Sequence, residues 1–145
     1  MKHLNSLIDQ HYLKSYPVFL EILRDEDDAE EIYLKTFQVL SLKYHSELLL
    51  LTKMKSYSAL YKRSFEKLLR LTWKVAFDLT LHRKNEKLLQ SNQGFYSMKT
   101  SNRWVFYMRH RMNLNIQEVA LILEKDRADI IHILSSARKE MREYI

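Results

Sequence analysis

The chain has 145 residues, 46% of them apolar, with one glycine, one proline, no cysteine and a formal net charge of +6. That much apolar material suffices for one ordinary domain or two small ones, and the absence of cysteine excludes disulfides and thiolate metal sites. Tight hairpins would have almost no residue suited to positive φ, helix formers dominate, and no segment alternates with period two, so an all-α fold is expected.

The charge is unevenly spread. Residues 1–40 hold 4 Lys/Arg against 8 Asp/Glu, residues 41–100 hold 12 against 4, and residues 101–145 hold 8 against 6. A basic middle beside an acidic front points to two partners of different character, a polyanion and a basic protein surface. Residues 1–16 lack the apolar core of a signal peptide, and the longest aliphatic run is only Leu48 to Leu51. No membrane insertion is expected, and a cytoplasmic location is the default.

In chain order, the pattern predicts a helix near Leu4 to Lys14 and another opening at Pro17 and running to Arg24, because proline fits a first helical turn. The acidic run Asp25 to Asp28 reads as a cap region for a helix from Asp28 to about Thr52, with Ile32, Thr36, Val39 and Leu40 as its inner stripe. Residues 57–87 form a long basic amphipathic stretch. There Arg63, Lys67, Arg70 and Lys74 follow i, i+4, i+7, i+11, which aligns four cations on one helix face, while Leu68, Leu71, Val75 and Leu79 line another. Such a face suits phosphates, or is simply solvated; Trp73 beside it suits either a base or the core.

Between Leu88 and Met98 no residue is charged, and Ser91, Asn92, Gly94 and Ser97 mark a linker over residues 88–100. A helix then starts at Ser101 or Asn102 and runs to about Met112. Asn115 with Glu118 makes a capping box for a helix ending near Leu123, and Asp126 starts a last helix. On that helix Ile130, Ile133, Leu134, Ala137 and Met141 fall on an inner arc, leaving Ala128, Ile131, His132, Ser135, Ser136, Lys139 and Arg142 outside. Such a pair is a helix-turn-helix candidate: Arg127 within reach of phosphate or guanine, Lys139 within reach of phosphate, His132 and Ser135 within reach of base edges, and Ile131 suited to a thymine methyl or a protein. Packing alone is the plainer alternative for the same hairpin.

The six histidines form no metal-ligand spacing and are expected at the surface or half-buried; the acidic run lacks the glycine and oxygen spacing of a calcium loop. No catalytic constellation, phosphate loop or cofactor motif is present in the sequence, so neither an enzyme nor a cofactor is expected.

Taken together, Asp28-Ala29-Glu30-Glu31 with Thr36-Phe37, Trp73 to Asp78 with His82-Arg83-Lys84, and Glu118-Val119-Ala120…Leu123 with Ala137-Arg138…Met141-Arg142 resemble the signature segments of the extracytoplasmic-function class of bacterial sigma factors. The resemblance spans nearly the whole chain. It implies two small helical domains, residues 1–87 and 101–145, joined by a short linker, the second being a helix-turn-helix. It implies core RNA polymerase and promoter DNA as partners and leaves room for an anti-sigma protein. Polymerase docking would fall on Asp28, Glu31 and Lys35, and Arg83 and Lys84 would join the strand-gripping cations. The family's Gln-Glu pair stands here as Leu34-Lys35, its melting-helix asparagine as Lys74, and a Lys-Ser-Arg triplet as Ile131-His132-Ile133. Two other readings stay open: a polymerase-binding adaptor that has lost promoter recognition, and a free-standing helix-turn-helix regulator.

Overall fold

The computed structural model describes residues 2–81 and 94–142. Among them are seven α-helices and one 3-10 turn, with no strand, as the composition predicts. The chain divides into two compact units, Met1–Ala76 and Phe77–Ile145.

The first unit begins with α1 (Lys2–Leu23), a single helix where the sequence predicts two. Pro17 sits inside it and removes the N–H that would bond the Leu13 carbonyl. Both residues are on the solvent side, so water can take that carbonyl and the helix continues. Its inner face repeats at three- and four-residue intervals through Leu7, His11, Ser15, Phe19, Ile22 and Leu23, all buried. Arg24, at φ 63°, turns the chain, and its N–H bonds back to the Leu20 carbonyl.

Next comes α2 (Glu26–Lys43), capped by Asp25, whose carboxylate accepts the Asp28 N–H at 3.0 Å, with Glu26, Asp27 and Asp28 set against the positive end of the dipole. Ile32, Thr36 and Leu40 are buried as predicted and Val39 partly so. The expected single helix to Thr52 is broken at Tyr44 (φ −120°, ψ 35°), which ends α2 and begins α3 (His45–Lys53). The half-buried Tyr44 packs against the core at this joint.

The basic helix is α4 (Ala59–Thr80), opened by Ser58, whose hydroxyl accepts the Tyr61 N–H at 3.1 Å. Leu7, Leu40, Leu48, Leu51, Tyr61, Leu68 and Val75 form one core cluster drawn from α1, α2, α3 and α4. Beside it Phe19 meets Tyr33 edge-on at 5.6 Å and Trp73 at 6.4 Å. Trp73 is therefore a core residue, and the base-stacking alternative for it is excluded by burial.

A polar knot lies inside this unit. His11 is fully buried, its Nδ1 2.9 Å from the Tyr33 hydroxyl and its Nε2 2.8 Å from Thr72 Oγ1. Thr72 already donates to the Leu68 carbonyl, so the imidazole must donate from Nε2 and accept the Tyr33 proton at Nδ1. Burial pushes His11 down to about 4 and is the largest cause raising Tyr33 to about 12. The imidazole is thus neutral and joins α1, α2 and α4.

In the second unit the predicted linker lies outside the described residues through 93; a 3-10 turn, Gly94–Ser97, then leads into α5 (Thr100–His110). α5 has no local side-chain cap. Its N-terminus is closed from afar by Glu140, which accepts the Lys99 N–H at 2.9 Å and the Asn102 amide. The capping box of α6 (Ile116–Leu123) forms as predicted, Asn115 Oδ1 taking the Glu118 N–H at 2.8 Å and Glu118 Oε1 taking the Asn115 N–H at 3.1 Å. Glu124 turns left-handed at φ 55°, and three residues separate the end of α6 from the start of α7 (Arg127–Arg142). Trp104, Val105, Met108, Val119, Leu123, Ile130, Leu134 and Ala137 are buried. Buried Arg103 bonds Thr100 at 2.8 Å and lies 5.7 Å from the Tyr96 ring.

Candidate nucleic-acid interface

The strongest candidate surface is the outer face of α4. Leu68, Thr72, Val75 and Ala76 turn inward, which forces Arg63, Lys67 and Arg70 outward as exposed side chains. Lys74, fourth in the predicted stripe, is half-buried. Lys67 also borders a cleft of about 150 Å³ whose lining includes Glu47 and Leu50 of α3, so one carboxylate shares its surroundings. Arg83 and Lys84 lie outside the described residues.

A second feature has no counterpart in the sequence reading. The turn between α3 and α4 walls a cleft of about 650 Å³, lined by Lys53, Lys55, Ser56 and Tyr57 on one side and Ser6 and Gln10 on the other. Tyr57 is 74% exposed, with Lys55 Nζ 5.9 Å from its ring centre. Tyr61 donates its hydroxyl to Gln10 Oε1 across the floor, and burial raises the Tyr61 phenol. An exposed ring with lysines beside it offers a planar stacking surface and cationic groups for a phosphate. The only signal for it is the segment Lys53-Met-Lys-Ser-Tyr57, whose residues follow no helical period and so form no recognisable face.

On α2 the predicted docking residues differ from one another. Asp28 is half-buried in the cap, while Glu31 and Lys35 are exposed and pair at 3.0 Å. Each of those two charges is therefore largely offset by the other, and a surface pair of this kind contributes little to stability. Glu26, Asp27 and Glu30 are also exposed, and they lie near the Tyr16 hydroxyl, whose pKa is raised by burial first and then by Tyr12 and these carboxylates. Tyr12 and Tyr16 stack at 4.8 Å, so an aromatic pair adjoins this acidic surface.

In the second unit Arg127, His132, Ser135 and Lys139 are all exposed on α7; His132, Ser135 and Lys139 lie on the arc away from the buried Ile130, Leu134 and Ala137, while Arg127, the first residue of the helix, lies beside that buried arc. Ala128 and Ile131 of α7 are exposed as well, the latter at 46%, and Leu121 of α6 is 67% exposed. A different cationic group, unpredicted, lies where α5 ends: Arg109 complements the negative end of that helix, and Arg138 of α7 is near, with the imidazole of His110 beside them. Burial, then Arg109 and Arg138, lower the His110 pKa. Its ring also packs against Phe106 at 4.3 Å.

Among the described residues no group of three or more His, Asp or Glu side chains is placed to hold a metal ion, and no helix is long and apolar enough to cross a membrane. Comparison with protein-family models, with curated proteins and with solved structures finds no match.

Proposed function

We propose that this chain is a sigma-factor-like initiation protein, binding core RNA polymerase and promoter DNA in the cytoplasm without chemistry of its own. The observation that carries the reading is the solvent-facing row of Arg63, Lys67 and Arg70 on a helix whose other side is locked into a core. Rigid backing holds the cations in line with a phosphate backbone, so little side-chain order must be created on binding. The Lys53/Lys55/Tyr57 cleft in the same unit supports an unpaired rather than a duplex strand, since stacking on an exposed ring contributes about 1–3 kcal/mol per base. In this reading α2 supplies the protein-docking side through Asp28, Glu31 and the neighbouring Glu26, Asp27 and Glu30.

The finer part concerns the second unit, taken as a helix-turn-helix domain. α7 would lie in the major groove, with Arg127 and Lys139 on phosphates and His132 and Ser135 on base edges. The capped start of α6 and the three-residue turn before α7 support it. One observation favours the adaptor reading for this unit: exposed Leu121 and Ile131 are better suited to a protein than to polar base edges.

Co-elution of the full chain with core RNA polymerase at low and moderate salt tests the shared claim; absence under both conditions defeats the sigma-like and adaptor readings together. Promoter binding is tested with a partly single-stranded fork. Replacing Arg63→Glu and Lys67→Glu, both exposed, should lower fork affinity at least about tenfold and reduce the salt dependence by about 0.7 of a log unit per lost phosphate contact. Unchanged affinity and slope would remove α4 from the DNA interface and leave the adaptor.

A further inference from the structure

α3 ends at Lys53, and the next residue, Met54, is extended (φ −90°, ψ 149°). Side chains flanking an extended residue project to one side and its own to the other. Met54 accordingly packs against the core, while Lys53 and Lys55 are both exposed on one wall of the cleft between the α3–α4 turn and α1. Among the described residues neither lysine is in an ion pair, and no Asp or Glu lines the cleft. Lys55 Nζ, 5.9 Å from the Tyr57 ring centre, sets this cationic wall beside the exposed ring. On the facing wall Gln10 Oε1 accepts from the Tyr61 hydroxyl, which leaves the amide N–H groups as donors for a carbonyl on a base edge.

A ring, two ammonium groups and no carboxylate select an anionic ligand with a planar part. The ring takes a base, and the lysines take phosphate as point charges. A strand brings one phosphate charge per nucleotide, whereas a free nucleoside polyphosphate brings several on one base and ends within the site. The cleft volume, about 650 Å³, is that of a pocket enclosing one small ligand. We propose that this cleft binds a free nucleoside polyphosphate, its base on Tyr57 and its phosphates on Lys53 and Lys55, and that the bound nucleotide excludes the unpaired strand from the same place. The exclusion rests on the strand-binding reading of the cleft; the nucleotide site does not.

Titration calorimetry of the full chain with GTP, with guanosine and with inorganic tripolyphosphate, at about 0.1 M salt, tests it. GTP should saturate a single site below about 1 mM. Guanosine and tripolyphosphate, each lacking one half of the ligand, should bind at least about fivefold more weakly. Lys53→Gln with Lys55→Gln, and separately Tyr57→Ala, all at exposed positions and with helical circular dichroism as the folding control, should weaken GTP at least about fivefold. Tyr57→Phe, which keeps the ring, should bind as wild type does. Saturating GTP should then lower the affinity for a partly single-stranded fork at least about fivefold. Failure of GTP to saturate, GTP binding no tighter than tripolyphosphate, or indifference to Tyr57→Ala each overturns the nucleotide site. Fork affinity that falls with Tyr57→Ala while no free nucleotide binds overturns the proposal and leaves the strand reading standing. GTP bound in the cleft with fork affinity unchanged overturns the exclusion and removes the strand, but not the nucleotide, from this cleft.

Discussion

His11 shows how much one residue can decide. Its neutral imidazole accepts from Tyr33 and donates to Thr72, so a second proton at Nδ1 would confront the Tyr33 O–H with a donor and place charge in a buried site. The folded pKa, about 4, is below the ordinary 6.5, so between those values the unfolded chain binds more protons than the folded one. Stability of the first unit should therefore be full above pH 6.5 and fall as pH drops toward 4, by about 3 kcal/mol if the whole shift is expressed. Urea unfolding at pH 7 and near pH 4.5, against a His11→Gln chain that cannot titrate there, isolates this contribution; parallel pH profiles for the two chains would remove it. Sequence alone puts histidines at surfaces or half-buried positions because imidazole is polar, yet the spacing of Leu7, His11, Ser15 and Phe19 already marks an inner face. The partners are what local sequence lacks: Tyr33 and Thr72 are 22 and 61 positions away.

Glu124 carries the opposite lesson. A turn between two helices usually takes glycine at the left-handed position, and the sequence has glutamate there; the backbone nevertheless adopts φ 55° and bonds to the Ala120 and Leu121 carbonyls. The fold prevails over the residue's preference at some cost. Glu124→Gly should raise the stability of the second unit by about 0.5–1 kcal/mol, read as a higher thermal midpoint with an unchanged helical signal. A lowered midpoint would mean that the glutamate side chain contributes more than its backbone strain costs.

Among the elements, α5 depends most on distant residues. With no local cap, its first turn relies on a carboxylate from α7, 41 and 38 positions along the chain. Glu140→Ala should cost the second unit about 1–2 kcal/mol, while Glu140→Gln, which keeps acceptor oxygen, should cost less. Denaturant midpoints of the two variants check the order. The start of α5 is nearly legible, since Ser101 and Asn102 have the chemistry of caps; both instead lie buried inside the helix, and the true cap acts through tertiary structure. Boundaries set by local chemistry can be read directly, Asn115 with Glu118 and Asp25 among them. Those set by the surroundings cannot. Pro17 has the signature of a helix start, but solvent at the Leu13 carbonyl lets one helix continue, and Tyr44 gives no sequence signal for its kink.

For the molecule as a whole, the all-helical class follows from composition, because one glycine and one proline leave hairpins without turn residues. The inner stripe of α2 follows from periodicity, and those of α4 and α7 do in part: Leu68 and Val75, and Ile130, Leu134 and Ala137, are buried, but Leu71, Ile133 and Met141 are half-buried and Leu79 is exposed. The candidate binding surface is legible only where it is helical: Arg63, Lys67 and Arg70 emerge in line, but the Lys53/Lys55/Tyr57 cleft lies on a turn and depends on α1 for its other wall. Charge segregation by segment survives folding, with exposed carboxylates on α2 and exposed cations on α4 of one unit. The α4 side is expected to be the salt-sensitive one, as the fork titration reads out.

The His11 knot also makes three helices depend on one another. Closing it joins three helices through partners that are far apart in sequence, so it cannot form while α4 is still separate from the other two. The buried polar bonds of His11 thus depend on all three helices being docked at once. In the native state α1, α2 and α4 share them, so opening any one of these helices at the knot leaves polar groups unpaired in the others and makes the three behave as one cooperative block.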